Sequence, residues 1–413
     1  MLVRAGLSFG ERVAYLRRVR GMYQHGLALR MNRSVSWVRK VESGERRVES
    51  IAVIEELARA LAVDPDALLG GRLHRRPSAD PAGGGDAKTQ AVRAVRHLLY
   101  SYDSISARPA TDNAVDLTEL HRQIARLRHR YNTARNNLSA VLTDLPVAIG
   151  AVREAVRRAG NQHDRANANA LLADILRLTA MEIRQYGDAE LGWLAADRSV
   201  LAAERSGDRL LVAAAAGTLV HQMISRGLHR DAVALACTAA ETVAPGPTAP
   251  AEQWSVWGAL HLFGAQGAVR AGDAGYRSLL ETARHAAKAL HGDRNDYQTF
   301  FGPTNVLIQQ GGILADAGHP EAALNVARHA EADRLISVNR RANHRIHLAR
   351  AHVMLGRDDE AVAAIRAAER IGPELVRTDP ASHEAVMTVL SRRRRPASAD
   401  LVRLSVRLGL TDS

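Results

Sequence analysis

Two stretches of the chain carry side chains whose type and spacing suit molecular recognition. The first is Gln24 to Gly44, QHGLALRMNRSVSWVRKVESG. Its periodicity puts Val38 and Val41 on one helical face, so Val35, Ser36, Arg39 and Lys40 point away from that face. An ammonium group donates to guanine, an aliphatic side chain packs on a thymine methyl, and a hydroxyl serves a base or a phosphate. This face therefore suits base edges in a DNA major groove. Arg33, Arg39, Arg46 and Arg47 add guanidinium groups for phosphate around it. The second stretch, Gly292 to Asn305, GDRNDYQTFFGPTN, interrupts an alanine-rich background with a tyrosine, two of the four phenylalanines, Arg294 and Asn295. In one reading Arg294 and Asn295 hold a polar or carboxylate group while Tyr297, Phe301 and Asn305 line a pocket. In the other it is a long inter-helix loop, capped by Asn295 or Asp296, whose aromatic rings plug a gap.

The first stretch has its supporting elements written around it. Two short amphipathic runs, 24–31 and 35–42, are joined by Asn32, Arg33 and Ser34, the connection length of a helix-turn-helix. Asn32 tolerates a left-handed backbone, Ser34 is placed to cap the second helix, and Gly44 follows its last periodic residue. Upstream, Ser8 and Glu11 have the spacing of a capping box. The helix they start runs to Arg20, with Phe9, Val13, Leu16 and Val19 inward and Gly21 as its stop. Leu27, Ala28 and Met31 form the inner face of the next helix. Ser50 starts a fourth, with Ile51, Ile54, Leu57, Ala58 and Leu61 inward. Asp64 and Pro65 open a fifth, aspartate as cap and proline at the first helical position. Five helices thus close a small core by Leu69.

Residues 8–70 resemble the Xre/phage-repressor family of DNA-binding domains, through Gln24, the V-x-x-V-E-x-G run Val38 to Gly44 and the closing ALAVDPDALLG. The resemblance implies a double-stranded DNA operator as partner. It places Val35, Ser36 and Lys40 at base edges and Gln24 on a phosphate, with Ser34 on the same surface. The chain departs from the family pattern at Tyr23, where a capping Ser or Thr is usual, at Gly26, and at Arg33, which replaces an apolar turn residue.

Residues 71–87, GRLHRRPSADPAGGGDA, have the Gly, Pro and Arg content of a mobile linker and imply a loose tether. From residue 88 to 413 the pattern is helical and nearly free of strand signals. Turns are marked by Gly187-Asp188, Gly207-Asp208, Gly227, Gly272-Asp273, Gly318-His319-Pro320 and Gly356-Arg357-Asp358. Acid-alanine pairs such as Asp231-Ala232, Glu321-Ala322 and Glu360-Ala361 open the following helices, where an acid complements the helix N-terminus. This resembles irregular tetratricopeptide-like repeats, about four to six helix pairs stacked into a curved array. The expected fold is all-α: a helix-turn-helix domain over 1–70 followed by an α-solenoid.

The formal net charge is +12, and only Lys40, Lys88 and Lys288 of the 56 basic residues are lysines. Residues 1–76 hold 15 basic and 8 acidic side chains, so the positive charge is concentrated there. That distribution favours a polyanionic partner at the N-terminal end. No long apolar run or secretory start is present, and a cytoplasmic protein with no membrane contact is expected. Lone Cys237 excludes an internal disulfide framework and reads as a helix-packing residue. Trp254 and Trp257 read as a buried helix face, and His344 and His347 as packed histidines with no third metal ligand near. Arg392 to Arg395 reads as a basic solvated tail, with a second DNA contact as the other reading. Phosphate-cradling loops, nucleophile elbows and H-E-x-x-H motifs are missing, so neither catalysis nor a cofactor or metal is expected.

The expected function is that of a transcription regulator, resembling repeat-bearing regulators of high-GC Gram-positive bacteria and the peptide-pheromone receptors. That resemblance implies a peptide or small-molecule signal in the repeats and a homodimer on DNA. The alternative is a protein-interaction scaffold that DNA binding merely localises.

Overall fold

The computed structural model describes residues 8–20, 22–31, 33–46, 48, 51–61, 63, 68, 85–102, 116–392 and 399–410. Asn32, Gly21, Ser50, the Asp64-Pro65 start of a fifth helix and most of the expected linker lie outside them. Among the described residues the chain is helical and has no strand. Four helices come first: α1 (Phe9–Val19), α2 (Gln24–Arg30), α3 (Val35–Glu42) and α4 (Ile51–Leu61). Then follow α5 (Gly85–Tyr100), α6 (Leu117–Thr133), α7 (Asn137–Leu142), α8 (Leu145–Arg158), α9 (Gln162–Tyr186), α10 (Ala189–Ser206) and α11 (Arg209–Ser225). The chain continues through α12 (His229–Thr242), α13 (Ala251–Ala271), α14 (Tyr276–Ala289), α15 (Pro303–Asp316), α16 (Pro320–Ala327) and α17 (Val338–Met354). It ends with α18 (Asp358–Ile371), α19 (Pro373–Thr378), α20 (Pro380–Arg392) and α21 (Ala399–Arg407). None of the helices among the described residues is long and apolar enough to cross a membrane.

The N-terminal helices enclose their own core of Val13, Leu16, Leu27, Ala28, Met31, Val38, Val41, Ile54, Leu57, Ala58 and Leu61, with Leu68 beneath. The capping box of α1 is formed, Ser8 N donating to Glu11 at 2.7 Å and Glu11 N to Ser8 Oγ at 3.3 Å. Gly10 fixes α1 against α3. A Cβ there would meet the Val41 carbonyl oxygen at 2.2 Å, so only glycine permits this approach.

From α9 onward consecutive helices pack antiparallel in pairs. The turn glycines singled out in the sequence all have positive φ: Gly187, Gly207, Gly227, Gly272, Gly318 and Gly356. A left-handed residue ends a helix and reverses the chain at little steric cost when it is glycine. The first helices of successive pairs, α9, α11, α13, α15 and α17, also pack on one another and form the inner wall of the array. Their close approach rests on small side chains, with Ala213 to Gly217 of α11 all buried.

The array does not stay open. Its first helices meet its last: Asn137 Nδ2 donates to Asn339 Oδ1 at 2.8 Å, Ser139 N donates to Glu374 Oε2 at 3.0 Å, and Lys88 lies 3.6 Å from Glu374. Curvature of a stacked array was expected from the sequence. Closure on itself was not, because it depends on polar contacts between residues some 200 positions apart, which have no local signature. The α1–α4 unit also sits against the array, α2 packing on α20, in place of the loose tether that residues 71–87 suggested.

Candidate nucleic-acid interface and enclosed cavity

Helix α3 is held by its inner face and its cap. Val38 and Val41 are buried, Ser34 is extended (φ −75°, ψ 154°), and its hydroxyl accepts from Trp37 N at 3.1 Å. Val35, Ser36, Arg39 and Lys40 lie exposed on the opposite side, with Arg33, Ser34 and Arg46 exposed beside them. Arg33 and Arg46 both lie over the Trp37 ring, 5.8 and 6.0 Å from its centroid, so their guanidinium groups are gathered at the ends of α3. Arg47 lies outside the described residues. The outcome is a short exposed helix with one aliphatic, one hydroxyl and two cationic side chains facing out, flanked by two stacked arginines.

Gln24 has a different setting. It is half-buried, and its Nε2 donates to Glu42 Oε2 at 2.9 Å, where Arg17 also donates at 2.9 Å. Tyr23 occupies the cap position of α2 with an extended backbone, and its side chain makes no capping bond. Its hydroxyl instead donates to Asp316 Oδ1 of α15 at 2.8 Å and accepts from Arg350 Nη2 of α17 at 2.8 Å. Arg350 also bonds Asp316, and Arg270 Nε of α13 donates to Asp316 Oδ2 at 3.2 Å. Burial alone would raise the Asp316 pKa. Arg350 and Arg270 outweigh it and hold the carboxyl well below its usual range. Burial pushes the Tyr23 phenol up to about 12. The departure from a capping Ser or Thr thus coincides with the polar joint between the N-terminal helices and the array. Sequence reading missed this joint, although Tyr23 itself stood out.

Behind the joint lies a cavity of about 940 Å³ inside the closed array. Its walls come from the inner helices α9, α11, α13, α15 and α17, and its mouth from Arg17, Met22, Tyr23, Gln24 and Glu42. Nine arginines line it against three carboxylates, Glu42, Asp316 and Asp379. His221 and His347 also face it, and burial first, then nearby arginines, lower both pKa values to about 3, so both are neutral.

The Gly292–Asn305 stretch forms a loop on this array with an unusual backbone. His291, Tyr297, Gln298 and Phe300 all have positive φ, between 47° and 59°, a region non-glycine residues avoid. Several bonds hold it there. Arg294 N donates to Phe301 O at 2.9 Å, Phe300 N to Asn295 Oδ1 at 3.2 Å, and Arg177 Nη2 to Tyr297 O at 2.7 Å. Tyr297 Oη donates to Asp208 Oδ2 at 2.9 Å. The five residues singled out within it do not converge. Arg294 is exposed and bonds Asp296 at 2.6 Å. Phe301 is fully buried against Gly258, where an added Cβ would sit 2.2 Å from its ring. Asn305 is buried in α15 and accepts from Gln309 at 3.5 Å. The loop meets the cavity through Gln298, Thr299 and Phe300 instead.

Residues 8–69 match the helix-turn-helix domain family. The match covers α1 to α4, so the N-terminal part of the chain is a helix-turn-helix of the DNA-binding class. No curated protein matches the chain. Among solved structures it is similar to PlcR of Bacillus thuringiensis, in a crystal structure with the peptide PapR7 and DNA. Identity is 11%, with 68% of this chain and 95% of that chain covered and a TM-score of 0.27.

Of the remaining sequence candidates, Trp254 and Trp257 are half-buried and stack edge to face, 5.6 Å apart, against the core around Phe263 and Phe301. His344 is buried on α17, and Cys237 is half-buried. Arg392 ends α20 and bonds the Val353 carbonyl at 2.6 Å. Arg393 to Arg395 lie outside the described residues.

Proposed function

We propose that the chain is a transcription regulator of the phage-repressor type, divided into a DNA-binding unit (1–70), a linker (71–87) and a regulatory array (88–413). In this reading α3 enters the major groove, with Val35, Ser36 and Lys40 at base edges. Gln24, Arg33, Ser34, Arg39, Arg46 and Arg47 bind phosphates. The array receives a signal and pairs two copies of the chain, so that two half-sites about 34–36 Å apart are read together. The observation that carries the reading is the outward face of α3: four exposed recognition-type side chains on a helix whose other face is built into the core of a helix-turn-helix.

The joint at Tyr23 supports control by the array. It holds the N-terminus of α2 against α15 and α17. A signal that favours the released arrangement over the docked one shifts the population toward DNA binding. Anisotropy titrations on duplex from the chain's own promoter region test the first half. Lys40→Ala should relax base preference by about 1–3 kcal/mol, while Arg46→Ala should weaken all sequences alike and flatten the salt dependence. If the wild type binds its own promoter no better than random duplex, the reading is lost. Sedimentation of the protein with and without a two-half-site duplex tests pairing.

A further inference from the structure

The arginines around the central cavity are not equally matched. Arg350 and Arg270 share Asp316, and Arg17 has Glu42. Arg128 takes Asp174 from behind the wall, with Arg177 4.0 Å from the same carboxylate. Asp379 caps α20, accepting from the Ser382 amide at 2.7 Å and its hydroxyl at 2.8 Å, and acts on Arg184 electrostatically without forming an ion pair with it. Arg18 and Arg20 belong to the helix-turn-helix side of the cavity. Among the array's own arginines that leaves Arg184 of α9 and Arg340 of α17. Arg184 makes no hydrogen bond or ion pair through its side chain, and its Nε is buried without a partner. Arg340 has one long bond, 3.5 Å to the Thr299 carbonyl in the strained loop. Both line the same cavity, one from α9 and one from α17, and both act electrostatically on Tyr131 and on His221. The carboxyl on α9 two residues before Arg184, Glu182, is buried without partners, and burial raises its pKa well above the usual range.

Holding a guanidinium group half out of water without an ion pair is costly, and arginines are kept in such places where an anion completes them. A volume of about 940 Å³ is large enough for a small organic ligand.

We infer that the cavity is an anion-binding chamber, in which Arg184 and Arg340 hold a small molecule bearing two acidic groups, carboxylate or phosphate. The Gln298–Phe300 backbone forms one side of the seat. The mouth is formed by the helix-turn-helix, through Tyr23, Gln24 and the Arg17–Glu42 pair, so an occupant lies directly behind α2. This gives the signal of the reading above its chemical class, and rests on that reading only for its consequence at DNA.

The experiment uses the full chain in a thermal-shift titration with pyrophosphate and with citrate, which separate phosphate from carboxylate preference. Sodium chloride at matched ionic strength and the diamine putrescine serve as controls. At least one of the two anions should raise the melting temperature saturably, and neither control should. In Arg184→Met and Arg340→Met the saturable shift should weaken at least about tenfold in apparent affinity, the loss of one charge-assisted bond. The unliganded variants should melt no lower than wild type, because each substitution removes a half-buried charge that has no carboxylate in an ion pair with it. Arg184→Lys, which keeps the charge without the fork, should retain a weakened shift. No saturable shift in wild type with either anion, or an equal shift in wild type and both methionine variants, overturns the chamber. A shift present in wild type and lost in the variants, with promoter binding unchanged by the anion, keeps the chamber and removes the control of DNA binding instead.

Discussion

Asp316 is the residue on which the polar joint between the two units turns. Arg350 of α17, Arg270 of α13 and Tyr23 at the cap of α2 converge on its two oxygens. Tyr23→Phe removes the two hydroxyl bonds and leaves the arginine pairs, so it should cost about 1 kcal/mol of docking. Asp316→Asn leaves Arg350, largely out of water, and the more exposed Arg270 without a counter-charge and should cost about 3 kcal/mol. Calorimetric melting of the two variants checks the order; a larger loss for Tyr23→Phe would contradict it. Glu384 of α20 lies beside Gly26 of α2 in the same interface. Burial raises its pKa to about 7, Arg350 and Arg17 opposing and Asp316 and Asp379 adding to the rise; Arg30 also faces it. A carboxyl raised on docking adds stability that is fully present below its ordinary value near 4.5 and is lost as pH climbs through 7. Docking should therefore loosen between pH 5 and 8, read as faster hydrogen exchange in α2. Glu384→Gln should flatten that dependence and hold α2 docked at pH 8.

At the scale of elements, much was legible because the signals are local. The Ser8 and Ser34 caps, the valine stripe of α3 and the six turn glycines each depend on residues a few positions apart, and the structure places them as the periodicity implies. Ser34→Ala should cost α3 about 1 kcal/mol, measurable as a lower melting temperature of the N-terminal helices. The loop after α14 was visible as a break in composition, but not in its geometry. Four left-handed non-glycine residues are held by bonds to Arg177 of α9 and Asp208 at the start of α11, far away in sequence. For the same reason the sequence left Phe301 between two readings, a pocket wall or a ring plugging a gap. Its burial depends on Gly258 of α13 lying opposite, and Gly258→Ala should be strongly destabilising, by about 3 kcal/mol, in a chemical denaturation series.

For the whole molecule, the decisive facts are that the array closes and that the helix-turn-helix stands at its mouth. Neither has a sequence period. Closure rests on Asn137–Asn339 and on Glu374, which serves both Ser139 and Lys88. Glu374→Ala strips that carboxylate from both partners at once. It should open the ring and increase the radius of gyration in solution scattering, whereas a change confined to local melting would mean that the apolar contacts alone keep the ends together. A closed wall also explains why charged side chains can be gathered inside. Asp316 and Arg350 are largely out of water, which makes their pairing stronger than at an open surface, while Arg270 and Tyr23 stay partly exposed.

Helix α11 has a consequence of another kind. Its residues belong to three apolar clusters at once: Ala213, Ala214 and Ala216 face one, Ala215 a second, and Val220 and Ile224 a third. Between these layers a larger side chain has no direction in which to grow, except at Ala214, which borders the cavity. Over many generations of descent, positions 213, 215 and 216 should therefore admit only small residues, or change together with neighbours in two layers. Val147, 75% exposed, and Leu201 can drift one at a time. The history of such a lineage would be written on its rim, around a centre that inheritance can scarcely edit.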